Sequence, residues 1–491
     1  MLLTRLTIYL GILISAISYP IHGQQQGWSK LIGSYQNQDA LKHAQWSLQA
    51  RYVESGETLI AHNSQWSLAP ASGLKLLTSA VALELLGEDF TFQTRLFYEG
   101  TVNAEGLLKG NLYLVGGGDP TLGSSQVKGS LSLDSLMTVW VEALRSAGIR
   151  EIDGTVWADD FLLDRKPLPD YWNWIDIGNY YGAGNSALCI NDNLYELIFE
   201  PAKIVGNPAK VLGTEPAIPG LEFINYMSTG ARGSGDRGYI YCAPGQFTAT
   251  LRGTIPAGPP TFRIKGSIPD PPLFAAQELR RRLQEAGIPV RTEAGRLQQA
   301  RSYRQATLLH TITSPPLKDI VYWINKRSVN LYAEQLVKVL GLEISKEGSL
   351  DSGLKVITQF LEERKLPTDG LALYDGSGLS RSNMITARIM GELLRYMHGR
   401  PTFESFYNSL GIAGDPDDIS FFSSFGSGTA IAYNARIKSG LIARVRSHSG
   451  YLKDRQGRLI AFSFMANNYQ GPLSRIDSMH RELMIKLAEL K

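Results

Sequence analysis

The feature that most constrains the fold of this chain is a change of texture in its middle. Before Phe90 the sequence reads as a strand pair and one strongly apolar helix. From Phe90 to about Val290 it turns to short strand runs and many turns. After Pro316 amphipathic helices return and give way to antiparallel hairpins. Helices and a late antiparallel sheet on both sides of a turn-rich stretch imply an α+β core interrupted in sequence by a large, mostly β insert. The 491 residues correspond to roughly three units at about 150 residues each. The expected divisions are 1-23 for a leader, 24-89 with 291-491 for the core, 90-195 with 251-290 for the inserted unit, and 196-250 for a smaller unit nested inside it.

Local signals give the same layout. Gln45 to His62 alternates as two strands about a turn at Glu54-Ser55-Gly56-Glu57, and Leu74 to Leu86 is an apolar helix that Gly87 stops. Asn111 to Val115, Ile152 to Ala158 and Leu194 to Phe199 read as strands in the insert, and sustained helical periodicity is absent between Gly206 and Pro272. Helices are expected over Pro316 to Ile324, Leu331 to Gly341, Ser352 to Glu363 and Thr386 to Tyr396. Strands follow over Ala430 to Ile437, Leu441 to Leu452 and Leu459 to Asn467, then a helix from Ser474 to Leu490.

The first residues read as a secretory leader: Met1 to Arg5 is short and positive, Leu6 to Ile17 is mostly apolar, and Gly23 precedes Gln24-Gln25-Gln26. The apolar run is shorter than the ~20 residues a spanning helix needs, so the expectation is a periplasmic or secreted protein with no membrane span after cleavage. A net charge of +3 speaks against nucleic acid as a partner, which needs a clustered basic face. The basic run Arg280-Arg281-Arg282 reads as the solvated side of a helix. Cys189 and Cys242 are the only cysteines and allow either one disulfide or two buried thiols. Seven histidines without a His-Glu-x-x-His spacing disfavour a zinc enzyme, and no cofactor or metal is expected.

Three short motifs carry the candidate chemistry. Ser72-Gly73-Leu74-Lys75 opens the apolar helix, so the lysine lies one turn from the serine. A serine hydroxyl becomes a nucleophile when a neighbouring base takes its proton, and a lysine serves as that base when burial or nearby positive charge lowers its pKa; Lys438 is a candidate source of that charge. Ser328-Val329-Asn330 places a hydroxyl and an amide two residues apart ahead of a helix, where they suit proton relay and positioning; the alternative is a simple helix cap. Lys438-Ser439-Gly440 lies in a strand run and offers a cation and a hydroxyl to a carboxylate, with a glycine that lets ligand backbone come close. The N–H of Leu441 can join that of Ser72 as an oxyanion hole. Ser-x-x-Lys alone says little. It recurs at Ser125 to Lys128, and the whole tetrapeptide recurs at Ser352 to Lys355. The order of the motifs, which suits penicillin-binding proteins, selects Ser72; Ser352 reads as the cap of an amphipathic helix with Lys355 on its wet side.

With these motifs in place the chain resembles the D-alanyl-D-alanine carboxypeptidase/endopeptidase family of low-molecular-mass class C penicillin-binding proteins (peptidase family S13). The resemblance also rests on Pro70-Ala71-Ser72, Ser328 to Glu334, Asp375-Gly376-Ser377-Gly378-Leu379-Ser380 and Ala461-Phe462-Ser463-Phe464-Met465. Within the insert it rests on Trp172-Asn173-Trp174 with Asn179 to Ala183. The separation of 256 positions from Ser72 to Ser328 matches a family with two extra domains between its first two motifs. The resemblance implies a serine β-lactamase/transpeptidase-like core, an antiparallel sheet flanked by helices, that cleaves D-Ala-D-Ala bonds or cross-links in peptidoglycan through an acyl-enzyme. By the same resemblance Ser72 is nucleophile, Lys75 base, Ser328 proton relay, Asn330 positioning group and Lys438 carboxylate anchor, while Asp159 and Arg381 recognise the stem-peptide side chain. The implied partners are peptidoglycan stem peptides, with β-lactams as inhibitors; a homo-oligomer stays open. Ser439 and Leu441 stand where family members usually carry Thr, and Leu441 lacks the hydroxyl. Two other readings stay open: a catalytically weak peptidoglycan-binding relative, and a β-lactamase or esterase on the same scaffold.

Overall fold

The structure is a computed structural model that describes residues 27–491; the leader expected at 1-23 lies outside the described residues. The core sheet has six antiparallel strands in the order Gly411–Ile412, Arg436–Ile442, Val445–Lys453, Leu459–Asn467, Gln45–Tyr52, Thr58–His62. The early strand Gln45–Tyr52 pairs along its length with the late Leu459–Asn467, Gln45 opposite Asn467, so the sheet forms only when distant parts of the chain meet. One face packs on Leu473–Ala488 through Leu48, Phe462, Phe464 and Leu483. The other is covered by helices Lys75–Leu86, Leu317–Lys326, Asn330–Ser345, Leu350–Glu363 and Ala387–His398 around Leu77, Val81, Leu336, Phe360 and Met390. This is the α+β core expected, and the hairpin turn at 454–457 falls where Asp454 to Gly457 suggest.

The insert holds a second sheet in the order Gly295–Arg296, Val156–Asp159, Leu107–Val115, Gln93–Val102, Thr307–Thr313, with Glu151–Asp153 also on Leu107–Val115. The sheet therefore runs past the expected division at 290. Thr307–Thr313 returns antiparallel to Gln93–Tyr98 because its β-branched run pairs better with that edge than it could begin a helix. Two small three-stranded sheets follow the same pattern: Phe262–Ser267, Leu194–Glu200, Lys210–Glu215 and Glu222–Gly230, Thr248–Pro256, Arg237–Tyr241. They take in residues on both sides of the nested 196-250 unit. A helix that the strand-rich reading passed over, Leu133–Ser146, buries Leu136, Met137, Trp140, Val141 and Leu144 on the insert sheet. Ser132 caps it by accepting the Ser135 N–H.

Cys189 and Cys242 are free and buried. Arg281 and Arg282 share Glu278, and Arg280 meets Glu293, so the basic run is neutralised on its own surface. Among the described residues no helix is long and apolar enough to cross a membrane. Between the core-sheet strand Val445–Lys453 and the helix Leu473–Ala488, fully buried His448 and His480 meet Nδ1 to Nδ1 at 2.9 Å, and among the described residues neither Nε2 has a hydrogen-bond partner. Burial pushes His448 well below the usual range and His480 down to about 3. Unfolded, both titrate near pH 6.5, so below that pH the unfolded chain takes up protons that the folded one refuses. Stability is therefore expected to fall as pH drops from about 6.5, by up to ~1.4 kcal/mol per pH unit for each histidine. Denaturant unfolding between neutral and acid pH checks this; a slope in His480→Leu equal to that of the wild type would refute it.

Candidate active site

The turn Ala71–Leu74 is a 3-10 helix that runs directly into Lys75–Leu86. Ala71 enters it in the left-handed region at φ 47°, a conformation that costs an L residue about 1 kcal/mol or more and that here turns Ser72 out of an otherwise buried segment. The strand Arg436–Ile442 is drawn against this turn. A Cβ on Gly440 would stand 2.3 Å from the Pro70 carbonyl oxygen and 2.8 Å from the Gly73 nitrogen, so only glycine allows the two backbones this close. The glycine expected to make room for a ligand makes room for the protein's own chain instead. Ser447 Oγ fixes the same junction by donating to the Pro70 carbonyl at 2.6 Å.

Lys75 is fully buried, and its amine reaches Ser72 Oγ at 2.9 Å, Asn330 Oδ1 at 2.5 Å and the Ser377 carbonyl at 2.7 Å. An ammonium has three protons for these three acceptors; losing one leaves a lone pair that can face the serine. Burial pushes its pKa down to about 7, against the opposing pull of Asp375 and Glu334. Both acids are buried and shape the loop that carries Ser377. Glu334 accepts the N–H groups of Gly376 at 3.1 Å and Ser377 at 2.7 Å. Asp375 accepts Gly378 and Ser380 N–H, Asn383 Nδ2 and Trp172 Nε1. Burial, then the neighbouring Asp375, push Glu334 up to about 8.

Ser328 also sits in the left-handed region, at φ 60°, a strain found most often where function needs it. Its Oγ accepts from Lys438 Nζ at 2.9 Å, and Lys438 also donates to the Ser439 carbonyl at 2.8 Å. Burial first, then Lys75 and Arg446, hold Lys438 well below the usual lysine range. For both lysines burial is the leading cause of the lowering. Ser439 is half-buried opposite His448, and Leu441 is 50% exposed opposite Arg446. Gly411–Ile412 pairs only with Arg436 and Ile437, so from Lys438 to Ile442 the strand is an open edge facing the Ser72 turn.

The insert reaches this centre. Asn330 Nδ2 donates to the Tyr181 carbonyl at 2.7 Å, Gln335 Nε2 to the Gly118 and Ser186 carbonyls, and Lys338 to Asp164 and the Lys166 carbonyl. Together with the Trp172 indole these bonds hold the motif helix and the Lys75 loop from outside the core. Arg381, at the mouth, donates to the Ala443 carbonyl at 2.6 Å. Its acidic neighbour is Asp176, which also lies beside the Tyr181 hydroxyl. Asp159 is placed elsewhere: it ends the strand Val156–Asp159, and its carboxylate is taken up by the Tyr303 hydroxyl and the Phe161 N–H. Ser352 is buried inside Leu350–Glu363, whose cap is Ser349 rather than Ser352; Lys355 is exposed. There Gly353 gives close packing, since a Cβ would stand 1.8 Å from the Val337 carbonyl.

The residues that sequence reasoning left without a role are Glu334, Asp375, Ser377, Trp172, Tyr181 and Asp176. Most lie in blocks that carry the family resemblance, but only the folded chain turns them toward Lys75.

The sequence profile described as "D-Ala-D-Ala carboxypeptidase 3 (S13) family" matches residues 29–487. A D-alanyl-D-alanine carboxypeptidase from Actinomadura sp. (strain R39) is 32% identical over 445 residues, 89% of this chain and 79% of that one. D-alanyl-D-alanine carboxypeptidase DacB from Haemophilus influenzae is 23% identical over 430 residues, 86% of this chain and 85% of that one. The crystal structure of penicillin binding protein 4 from H. influenzae shares the fold with a TM-score of 0.80 at 21% identity, covering 93% of this chain and 99% of that one. By a profile match that takes in nearly its whole length, this chain belongs to the D-Ala-D-Ala carboxypeptidase 3 (S13) family and is a D-Ala-D-Ala carboxypeptidase.

Proposed function

We propose that the protein is exported and hydrolyses the D-Ala-D-Ala bond of peptidoglycan stem peptides through an acyl-enzyme on Ser72, and that β-lactams acylate the same serine. The observation that carries this reading is the convergence of three distant motifs on one pair of hydroxyl–amine contacts, Ser72 with Lys75 and Ser328 with Lys438. In the reaction, neutral Lys75 takes the Ser72 proton as Oγ attacks the carbonyl carbon. Backbone N–H groups of Ser72 and Leu441 receive the oxyanion. As the C–N bond breaks, the proton that Lys75 took from Ser72 passes by way of Ser328 Oγ to the leaving D-Ala amine, leaving the ester on Ser72 and Lys75 neutral again. Water then attacks that ester with Lys75 again as base, which releases the shortened peptide and restores the serine. Asn330 keeps the Lys75 amine over the hydroxyl.

The open edge Lys438–Ile442 suits an extended peptide added as a further strand, and Lys438 and Ser439 suit its terminal carboxylate. A carboxylate arriving beside Lys438 would restore the charge that burial opposes. Arg381 and Asp176 are near enough for the cation to act on the acid, and two such opposite charges suit a stem-peptide side chain ending in both an amine and a carboxylate. Export rests on the leader in residues 1-23. The H. influenzae protein has been crystallised with a β-lactam, which agrees with the proposed inhibitor class. Labelled penicillin with intact-mass detection, beside D-Ala release from a peptide ending in D-Ala-D-Ala, tests the reading. One adduct and penicillin-sensitive release are expected; a wild type that neither labels nor releases D-Ala would make it a binding protein.

A further inference from the structure

One face of the small sheet Glu222–Gly230, Thr248–Pro256, Arg237–Tyr241 is uncovered. Its inner face sends Met227, Ile240 and Leu251 into the core of the insert. The register sets the alternate positions of all three strands on the outer face: one row runs Tyr226, Arg252, Tyr239 and the next Ile224, Thr250, Tyr241. Tyr226 is 68% exposed, Ile224 46% and Tyr239 37%. The Arg252 guanidinium lies 5.0 Å over the Tyr241 ring, and the exposed Trp174 ring is 5.9 Å from it. Trp174 belongs to the segment 171–181, whose Tyr181 carbonyl bonds Asn330. The segment that carries Trp174 to this face thus also supplies a contact to Asn330.

The composition of this face selects its occupant. An apolar protein partner would call for a contiguous greasy patch, whereas here rings alternate with threonine hydroxyls and a guanidinium. A pyranose needs that alternation: its C–H face is weakly positive and lies on the negative face of an aromatic ring, while its hydroxyls bond to polar side chains at the ring edge. We propose that this face binds a neutral polysaccharide of N-acylated hexosamines, the glycan strand that carries the stem peptide held in the cleft. The link to the stem peptide rests on the function proposed above; the affinity for glycan does not.

The test uses the mature protein and a soluble, neutral oligosaccharide of N-acetylglucosamine, with binding followed by calorimetry. The wild type binds, and the double variant Tyr226→Ser, Tyr239→Ser binds at least about tenfold more weakly, while both release D-Ala from a short soluble peptide at the same rate. Absence of binding by the wild type overturns the proposal, as does equal binding by the double variant. Binding that about 0.5 M salt abolishes and the tyrosine substitutions leave untouched would assign the face to a charged polymer and overturn it as well. Glycan binding by a protein that released no D-Ala would uphold this face and sink the reading of the cleft.

Discussion

Replacing Ser72 by alanine abolishes both the penicillin adduct and D-Ala release, with kcat/KM falling by roughly 10⁴-fold or more, whereas Ser352→Ala leaves both intact. Identical tetrapeptides make this a controlled comparison, because the local sequence is the same and only the surroundings differ. Ser72 Oγ has the Lys75 amine at 2.9 Å and an open strand edge beside it. Ser352 is enclosed in a helix, and Lys355 of that helix is exposed. The measurement is intact mass after incubation with penicillin, run beside the peptide assay on both variants. An adduct that persists in Ser72→Ala would remove the basis of the proposed mechanism.

The second large effect belongs to Lys75. Only the neutral amine can accept the serine proton, so kcat/KM is expected to rise with pH through an acid limb near the value of about 7 that burial imposes and to fall tenfold per unit below it. Removing the amine in Lys75→Met costs about 10²- to 10⁴-fold. Lys75→Arg is equally inactive, because a guanidinium keeps its charge at every accessible pH. Equal loss in both variants identifies the missing element as a base and not as a positive charge. An active Lys75→Arg enzyme, or a kcat/KM that shows no acid limb, would assign the base to another group.

The readable parts of this fold are those whose signal is local. Gly87 ends the Lys75–Leu86 helix, the turn at 454–457 joins two strands, and Thr386 caps Ala387–His398. The Leu133–Ser146 helix had the same kind of signal, a serine cap and apolar residues at helical spacing, masked by the strand-rich stretch around it. The boundary near 290 was hidden for a different reason: whether Thr307–Thr313 joins one unit or the other depends on which edge strand is free, and no local pattern records that. Two aspartates show the same limit. Asp159 and Asp176 are both aspartates of the insert, and only the fold commits one to Tyr303 and sets the other beside Arg381.

By itself, then, the sequence determined the α+β alternation, the interruption of the core and the identity of the serine, amide and lysine groups that three ordered motifs supply. Those are properties of residue type, period and order along the chain. The tertiary structure alone decided that Lys75 is fully buried, that its amine meets Asn330, and that Lys438 turns to Ser328. It also brought Trp172 of the insert to the loop that holds Lys75. Each of these depends on desolvation and on contacts between residues hundreds of positions apart, and neither exists until the chain has folded.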